Sequence, residues 1–557
     1  MFKRFLIFTL LFLYQTNSKS ASTVSQDFNQ KYVSKYMSAL ISHGNQDNKR
    51  SIEYFNSSKK LINLHPNFLN NYIYSLVEYG KIDQAIKAIS QFDKSKSKIS
   101  FEANIISITG EIKNKNFENA KQKILELENY QNQTNLEIFI QNTLKSYLEV
   151  FVNKKIETKR QNYGTLSLIS LAFQEAYLEN NYNSKYFLKL MNSEDGDYSR
   201  YLFFHLTDII NKNDTELAIE ISDTINYYES TLLLSQSKKW IENRNFNKFK
   251  KYFSFNSEED ILAEFFFLIS NLYSSQENYK QSNFYLNIAN YLNPKFYFNL
   301  TMLVENYYMI DDFEKSKSIL NNFQKDDQIY QWYKIKKIAQ IISIQKNDNL
   351  SIKYIEDNFK KISKPDSKMF YDLANLYRQF KMYNKSIDNY NLILDRFQLD
   401  DLSKASILYK RGTSYERLGN YSASDKDLIN SLKLNYDEAY VLNYLAYNWL
   451  ERNHKIVDAI DMLKKANSLK PDDAFICDSL GWAYYLNGNL FDAEKFILKA
   501  LELKPNDPVI MDHYGDILWK LGNKLQAKYF WKNAIKFEDS EDIDFKYINK
   551  KLLYGLS

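Results

Sequence analysis

The chain has 557 residues, 25% of them charged and 44% hydrophobic, with only 12 Gly and 6 Pro. That supplies ample apolar material for a core and little turn chemistry, so the chain reads as nearly all helix. A net charge of +5 without a dense basic tract argues against nucleic acid as a partner, and the single cysteine, Cys477, excludes an internal disulfide and a cysteine-built zinc site.

At the N-terminus, Lys3 and Arg4 precede the apolar run Phe5 to Tyr14, and the polar segment Gln15 to Ala21 follows. This order is that of a secretory signal spanning 1–21, with cleavage after Ser20 or Ala21. An uncleaved anchor is the alternative, although the run is too short to span a bilayer comfortably. No cysteine lies near the cleavage region, so lipid attachment there is chemically impossible. No later stretch is apolar enough for a transmembrane helix.

Residues 22–260 show degenerate helix pairs. Tyr72 to Ile89 carries Gly80 and Ala85, Phe101 to Leu127 carries Ala120, and 160–255 alternates apolar helical patterns with turns such as Glu179-Asn180-Asn181 and Asn211-Lys212-Asn213-Asp214. No Pro- or Gly-rich linker interrupts them, so one continuous superhelix is expected, with 150–165 as the place for a bend. Over 261–541 the pairs sharpen: Ala263 to Phe296, Tyr297 to Tyr330, a pair over 331–366, Ser367 to Asp400, Ala405 to Glu438, Ala439 to Asp473, Ala474 to Asp507 and Pro508 to Glu541. The last three, with 405–438, are the clearest. Residues 542–557 read as a terminal capping helix, with Phe545, Ile548, Leu552 and Leu553 on one face and lysines on the other.

The spacing of small residues explains the sharpening. Gly481 returns 34 residues on as Gly515, Ala493 as Ala527, Ala500 as Ala534 and Pro471 as Pro505. Two helices approach closely only where side chains are small, and proline stops the second helix of each pair. A 34-residue period of this kind resembles the tetratricopeptide repeat (TPR), a pair of antiparallel helices. The expected fold is therefore all-α, a TPR superhelical solenoid. Upstream, serine replaces alanine at Ser386, Ser424 and Ser431.

The resemblance implies that inward-facing residues of each first helix line a concave groove. These are Tyr409, Thr413, Glu416 and Arg417, then Asn443, Tyr447 and Trp449 or its neighbours, then Asp478, Trp482 and Tyr485, and finally Asp512, Asp516, Trp519 and Lys520. Aromatic rings interspersed with Asn and Asp suit an extended or helical peptide, because rigid rings supply contact area while polar groups satisfy its backbone. The competing reading is that many of these rings pack on neighbouring repeats. A lysine/asparagine/arginine clamp for a terminal carboxylate is not evident at these positions.

Motifs for chemistry are missing. There is no phosphate-cradling glycine loop, no His-Glu-x-x-His and no Gly-x-Ser-x-Gly, and the five histidines are never at metal-ligand spacing. No catalytic residue, cofactor or metal is expected, and Cys477 is expected as a buried thiol.

The C-terminal half is similar to a family of large TPR proteins of the bacterial cell envelope. The residues that carry this are Tyr440 to Tyr447, Leu469-Lys470-Pro471-Asp472-Asp473, Asp478 to Tyr484, Asp507 to Asp516 and Ile548 to Leu553. The N-terminal half shares only layout, with Tyr36 to Ala39 and Leu64-His65-Pro66. The resemblance implies an exported, periplasmic, non-enzymatic adaptor that binds a protein or peptide partner, with a periplasmic protease or cell-wall hydrolase as the candidate. Outer-membrane association would come through a partner, since the family's lipoprotein cysteine is missing. The alternatives are a structural subunit of a larger envelope or secretion assembly and, third, a cell-wall-active enzyme.

Overall fold

The computed structural model describes residues 30–65, 67–92, 99–128, 130, 133–157, 161–179, 183–193, 197–323, 328–537 and 543–556. The signal segment 1–21, Pro66 and the Asn180-Asn181 turn lie outside them. The described residues form α-helices and one 3-10 turn, Lys59–Leu61, with no strand among them. None of the described helices is long and apolar enough to cross a membrane.

By its contacts the chain divides into two compact units: residues 1–222 with 232–331, and residues 223–231 with 332–557. The sequence, without a linker, does not announce this division.

Within the first unit, helices pair in chain order, as in Gln30–Gly44 with Asn48–Ser57, Phe68–Glu78 with Ile82–Ser90, and Phe101–Lys113 with Phe117–Leu127. The unit then folds back on itself. Tyr74 packs on Phe284 at 4.7 Å, Tyr307 donates to Glu78 at 2.8 Å, and Lys115 pairs with Glu258 and Glu259 at 2.7 and 3.0 Å. Burial pushes the Glu78 carboxyl up to about 7, and its Oε1 has no hydrogen-bond partner among the described residues. The aromatic content fills these joints: Phe173 alone meets Phe187, Tyr201, Phe204, Phe253 and Phe255 with centroids between 4.9 and 6.3 Å. Around 150–165, the helix Asn135–Asn153 ends at Lys154 with φ 51°, and the next begins at Thr165.

In the second unit the pairs are Ser367–Gln379 with Tyr383–Arg396, Asp401–Arg417 with Tyr421–Leu434, Ala439–Glu451 with Ile456–Leu469, Ala474–Leu486 with Leu490–Leu503, and Pro508–Lys520 with Lys524–Ala534. Ahead of them stand Asp348–Phe359 and the helix Gln328–Gln345, and Phe545–Tyr554 closes the series. Small residues sit where helices cross. A Cβ on Gly481 would lie 2.6 Å from Ile497, and one on Gly515 would run into the Trp531 indole. Ala493, Ala500, Ala527 and Ala534 are fully buried beside them. Cys477 is buried in the same core and hydrogen-bonds the Pro471 carbonyl at 3.4 Å.

In this unit the first helix of each of these pairs starts at an acidic cap. Asp366, Asp400, Asp473 and Asp507 accept from backbone amides two or three residues on, a contact that stabilises each helix start by about 1 kcal/mol. The turn inside each pair needs one left-handed residue. Gly488 takes it at φ 78°, and Asp311, Lys381 and Asn453 hold the same place at φ 59°, 59° and 51°.

The capping helix departs from its expected facing. Ile548 is buried as foreseen, but Leu553 is 72% exposed while Lys551 is only 2% exposed. The reason is electrostatic: the Lys551 ammonium bonds Asp512 at 2.5 Å and Asp516 at 2.7 Å, and these pairs hold the lysine side of the helix against the core.

Candidate partner-binding groove

The expected groove residues fall into three groups. On the last full pair, Asp512 and Asp516 are engaged by Lys551, and Trp531 donates its Nε1–H to Asp516 at 2.8 Å. Trp519 packs on Trp531 at 5.4 Å and against Gly555, where an added Cβ would collide with the Trp519 indole. The helix Phe545–Tyr554 and Gly555 therefore cover these side chains, and Lys520 remains exposed.

The second group is a stack. Trp482 lies between Tyr485, 4.8 Å away, and His513, 4.1 Å away, both nearly parallel to it. Asp478 accepts from His513 Nδ1 at 2.9 Å. Burial of the ring works against its charged form, yet the Asp478 carboxylate outweighs burial and His513 stands above the usual histidine pKa. The Trp482 indole reaches Glu451 at 3.3 Å. Tyr447, beside Glu451, has its phenol pushed up by burial and by that carboxylate. Trp449 is 5% exposed in the core with Leu428, Leu445, Leu463 and Leu480, so it belongs to packing and not to the groove.

The third group lies open. Tyr409 meets Tyr444 edge-on at 5.9 Å, Tyr444 donates to Glu416 at 2.8 Å, and Arg417 is exposed. Asn443 Oδ1 has no hydrogen-bond partner among the described residues. Arg417 and Tyr444 border a cavity of about 900 Å³, whose other walls include Lys336, Asp372, Asn375, Arg378 and Thr413. This volume is in the range of ligand-holding clefts.

Sequence reasoning missed the residues on these helix faces that hold another part of the same chain. Residues 223–231 lie on the first helices of two adjacent pairs. Lys368 donates to the main-chain carbonyls of Tyr227 and Tyr228 at 3.2 and 2.7 Å. Glu229 accepts from Tyr371 at 3.2 Å and from Ser406 at 2.7 Å, and the Tyr228 ring rests on Tyr371 at 5.1 Å. Lys368, Tyr371 and Ser406 hold the second and fifth places of their pairs, the spacing used to choose Tyr409 and Asn443. Carrying that spacing back one pair would have found Lys368, Tyr371, Asn375 and Arg378. Nothing in the sequence marks 223–231 as their occupant.

The TPR family profile matches residues 476–507. Over 85 residues, 15% of this chain, the sequence is 34% identical to the TPR repeat-containing protein PA4667 of Pseudomonas aeruginosa, and the match spans 14% of that relative's length. Similar solved structures include TTC0263, a thermophilic TPR protein in Thermus thermophilus, at 18% identity and TM-score 0.29 over 34% of this chain and 99% of that one. Another is Pseudomonas aeruginosa PilF, at 18% identity and TM-score 0.28 over 34% and 93%. A third is MamA from Desulfovibrio magneticus RS-1, at 17% identity and TM-score 0.28 over 33% and 100%. In fold, then, the described residues are all-α, with helices packed in consecutive pairs, and residues 476–507 among them match the tetratricopeptide repeat.

Proposed function

We propose that the chain is a non-enzymatic interaction scaffold of the bacterial cell envelope, holding a segment of a partner protein on the first-helix face of the second unit. The observation that carries the reading is the seating of 223–231: a lysine takes two successive main-chain carbonyls, hydroxyls take a carboxylate, and a tyrosine ring supports a side chain. Main-chain contacts of this kind serve any segment that turns its carbonyls to the groove, while neighbouring side chains select among them. The open cavity bordered by Arg417 and Tyr444 offers room for a partner. Export to the periplasm rests on Lys3, Arg4 and the run Phe5 to Tyr14. Recruitment of a protease or cell-wall hydrolase rests on the family resemblance.

A photo-crosslinking residue placed at Tyr409 or Arg417 of the full chain, expressed in a Gram-negative host, tests the groove. One partner captured there, and not from Tyr529 on a second helix, supports the scaffold; Tyr529 is 64% exposed. Capture from Tyr529 alone would mean that the groove is not the binding face. Protease protection of the chain in spheroplasts would refute export.

A further inference from the structure

We propose that the groove of the second unit selects an acidic extended segment, a deepening that rests on the scaffold reading above. Four of the side chains that border the open cavity are basic, Lys336, Arg378, Lys381 and Arg417, against one acid, Asp372. That acid is already engaged by Lys336 at 2.6 Å and by the Trp332 indole N–H at 2.9 Å, and of the bases Arg417 pairs with Glu416 at 3.6 Å. Basic groups therefore outnumber acids along the cavity walls.

Arg378 makes the point at atomic level. Its Nε is buried with no hydrogen-bond partner among the described residues, and its Nη1 reaches the Thr413 hydroxyl at 3.5 Å. A guanidinium offers five N–H donors in a planar fork, and leaving a buried one unmade is costly unless a ligand accepts it. Lys410 stands in the same field: burial works against its charge, Glu229 and Glu438 support it and Arg378 opposes it. Two cations that oppose each other near a cavity are stabilised together by an incoming carboxylate.

The seated segment, a turn in which the Ser230 amide donates to the Asn226 carbonyl, shows where a carboxylate is taken. Glu229 enters between Tyr371 and Ser406, near the start of their helices, and the same helix faces continue to Arg378 and Thr413 seven residues on. Seven residues of helix advance about 10 Å, which is three residues of extended chain. A partner segment laid in that direction meets carbonyl- and carboxylate-binding groups first and the basic cavity next. Acidic side chains fit it, and basic ones meet like charge.

The test uses the full chain and three fluorescein-labelled nonapeptides of alternating glycine and glutamate, glycine and glutamine, or glycine and lysine, read by fluorescence polarisation. The glutamate peptide is expected to bind at least about tenfold more tightly than the glutamine one, to weaken as salt rises, and to lose about tenfold with Arg378→Gln. Arg417→Gln, at an exposed site, repeats the measurement should Arg378→Gln lose helix by circular dichroism. Equal binding of the glutamate and glutamine peptides, or preference for lysine, overturns the acidic assignment and leaves the groove reading standing. Failure of all three peptides also overturns it, and crosslinking from Tyr409 then decides separately whether the groove binds a partner.

Discussion

Replacing Lys551 with methionine keeps the length of the side chain and removes the cation that Asp512 and Asp516 share. Lys551 is 2% exposed and its ammonium bonds both carboxylates, so the variant leaves Asp516, 5% exposed, to the Trp531 indole N–H. Removing one member of a buried ion pair costs about 3–5 kcal/mol, and the partial exposure of Asp512 places this case near 3. Stacked repeats open locally from their ends, so the loss concentrates in the terminal helix and the pair beneath it. Three kcal/mol corresponds to about 150-fold faster amide exchange at 543–556, read by hydrogen-exchange mass spectrometry, with helices before 474 unchanged. Adding Asp516→Asn to Lys551→Met removes the stranded charge and is expected to restore at least about 1 kcal/mol. Exchange accelerated less than about fivefold in the single variant would refute the reasoning, because the lysine would then be a solvated surface charge and Asp512 and Asp516 would be free for a partner.

Three further outcomes are expected. Gly515→Ala gains about 1 kcal/mol of helix propensity but forces its methyl group into Trp531, whose indole is held by Asp516; overpacking of about 1–3 kcal/mol and a strained hydrogen bond leave a net loss near 2 kcal/mol in urea unfolding of the C-terminal pairs. His513 is held above its ordinary pKa in the fold, so its contribution is complete below about pH 6.5 and is lost as pH rises through the folded value; Asp478→Asn should flatten that slope in melting curves. Glu78 titrates near 7 in the fold, so stability of the first unit falls as pH rises from about 4.5 to 7 and then levels; Glu78→Gln should stabilise it by on the order of 2 kcal/mol at pH 8 and hardly at all at pH 4.

The helix pairs were legible because their physical requirement is local and periodic. Gly481 and Gly515 recur because a Cβ at either would collide with a residue sixteen positions later in the same pair. The repeat faded upstream for an equally physical reason. The left-handed turn that Gly488 and Gly522 make visible is present at Gln46, Lys115, Asn213 and Glu277 as well, with φ between 58° and 63°, where non-glycine side chains conceal it. Place in the repeat named candidate groove positions, but not whether their face was open. Asp512 and Trp519 read as partner contacts until the terminal helix covers them, and Leu553 read as the buried residue where Lys551 is.

Sequence alone determined the fold type, the pairing of neighbouring helices, the buried thiol of Cys477 and the absence of recognisable catalytic motifs. Each of these depends on residues within about one repeat of each other, so spacing records them. Tertiary structure alone decided which of these helix faces remain open. Glu78 meets Tyr307 across 229 positions, and Glu229 meets Ser406 across 177. Contacts at such separation follow no period, since they depend on how many small rotations between successive pairs accumulate, and no single residue encodes that sum.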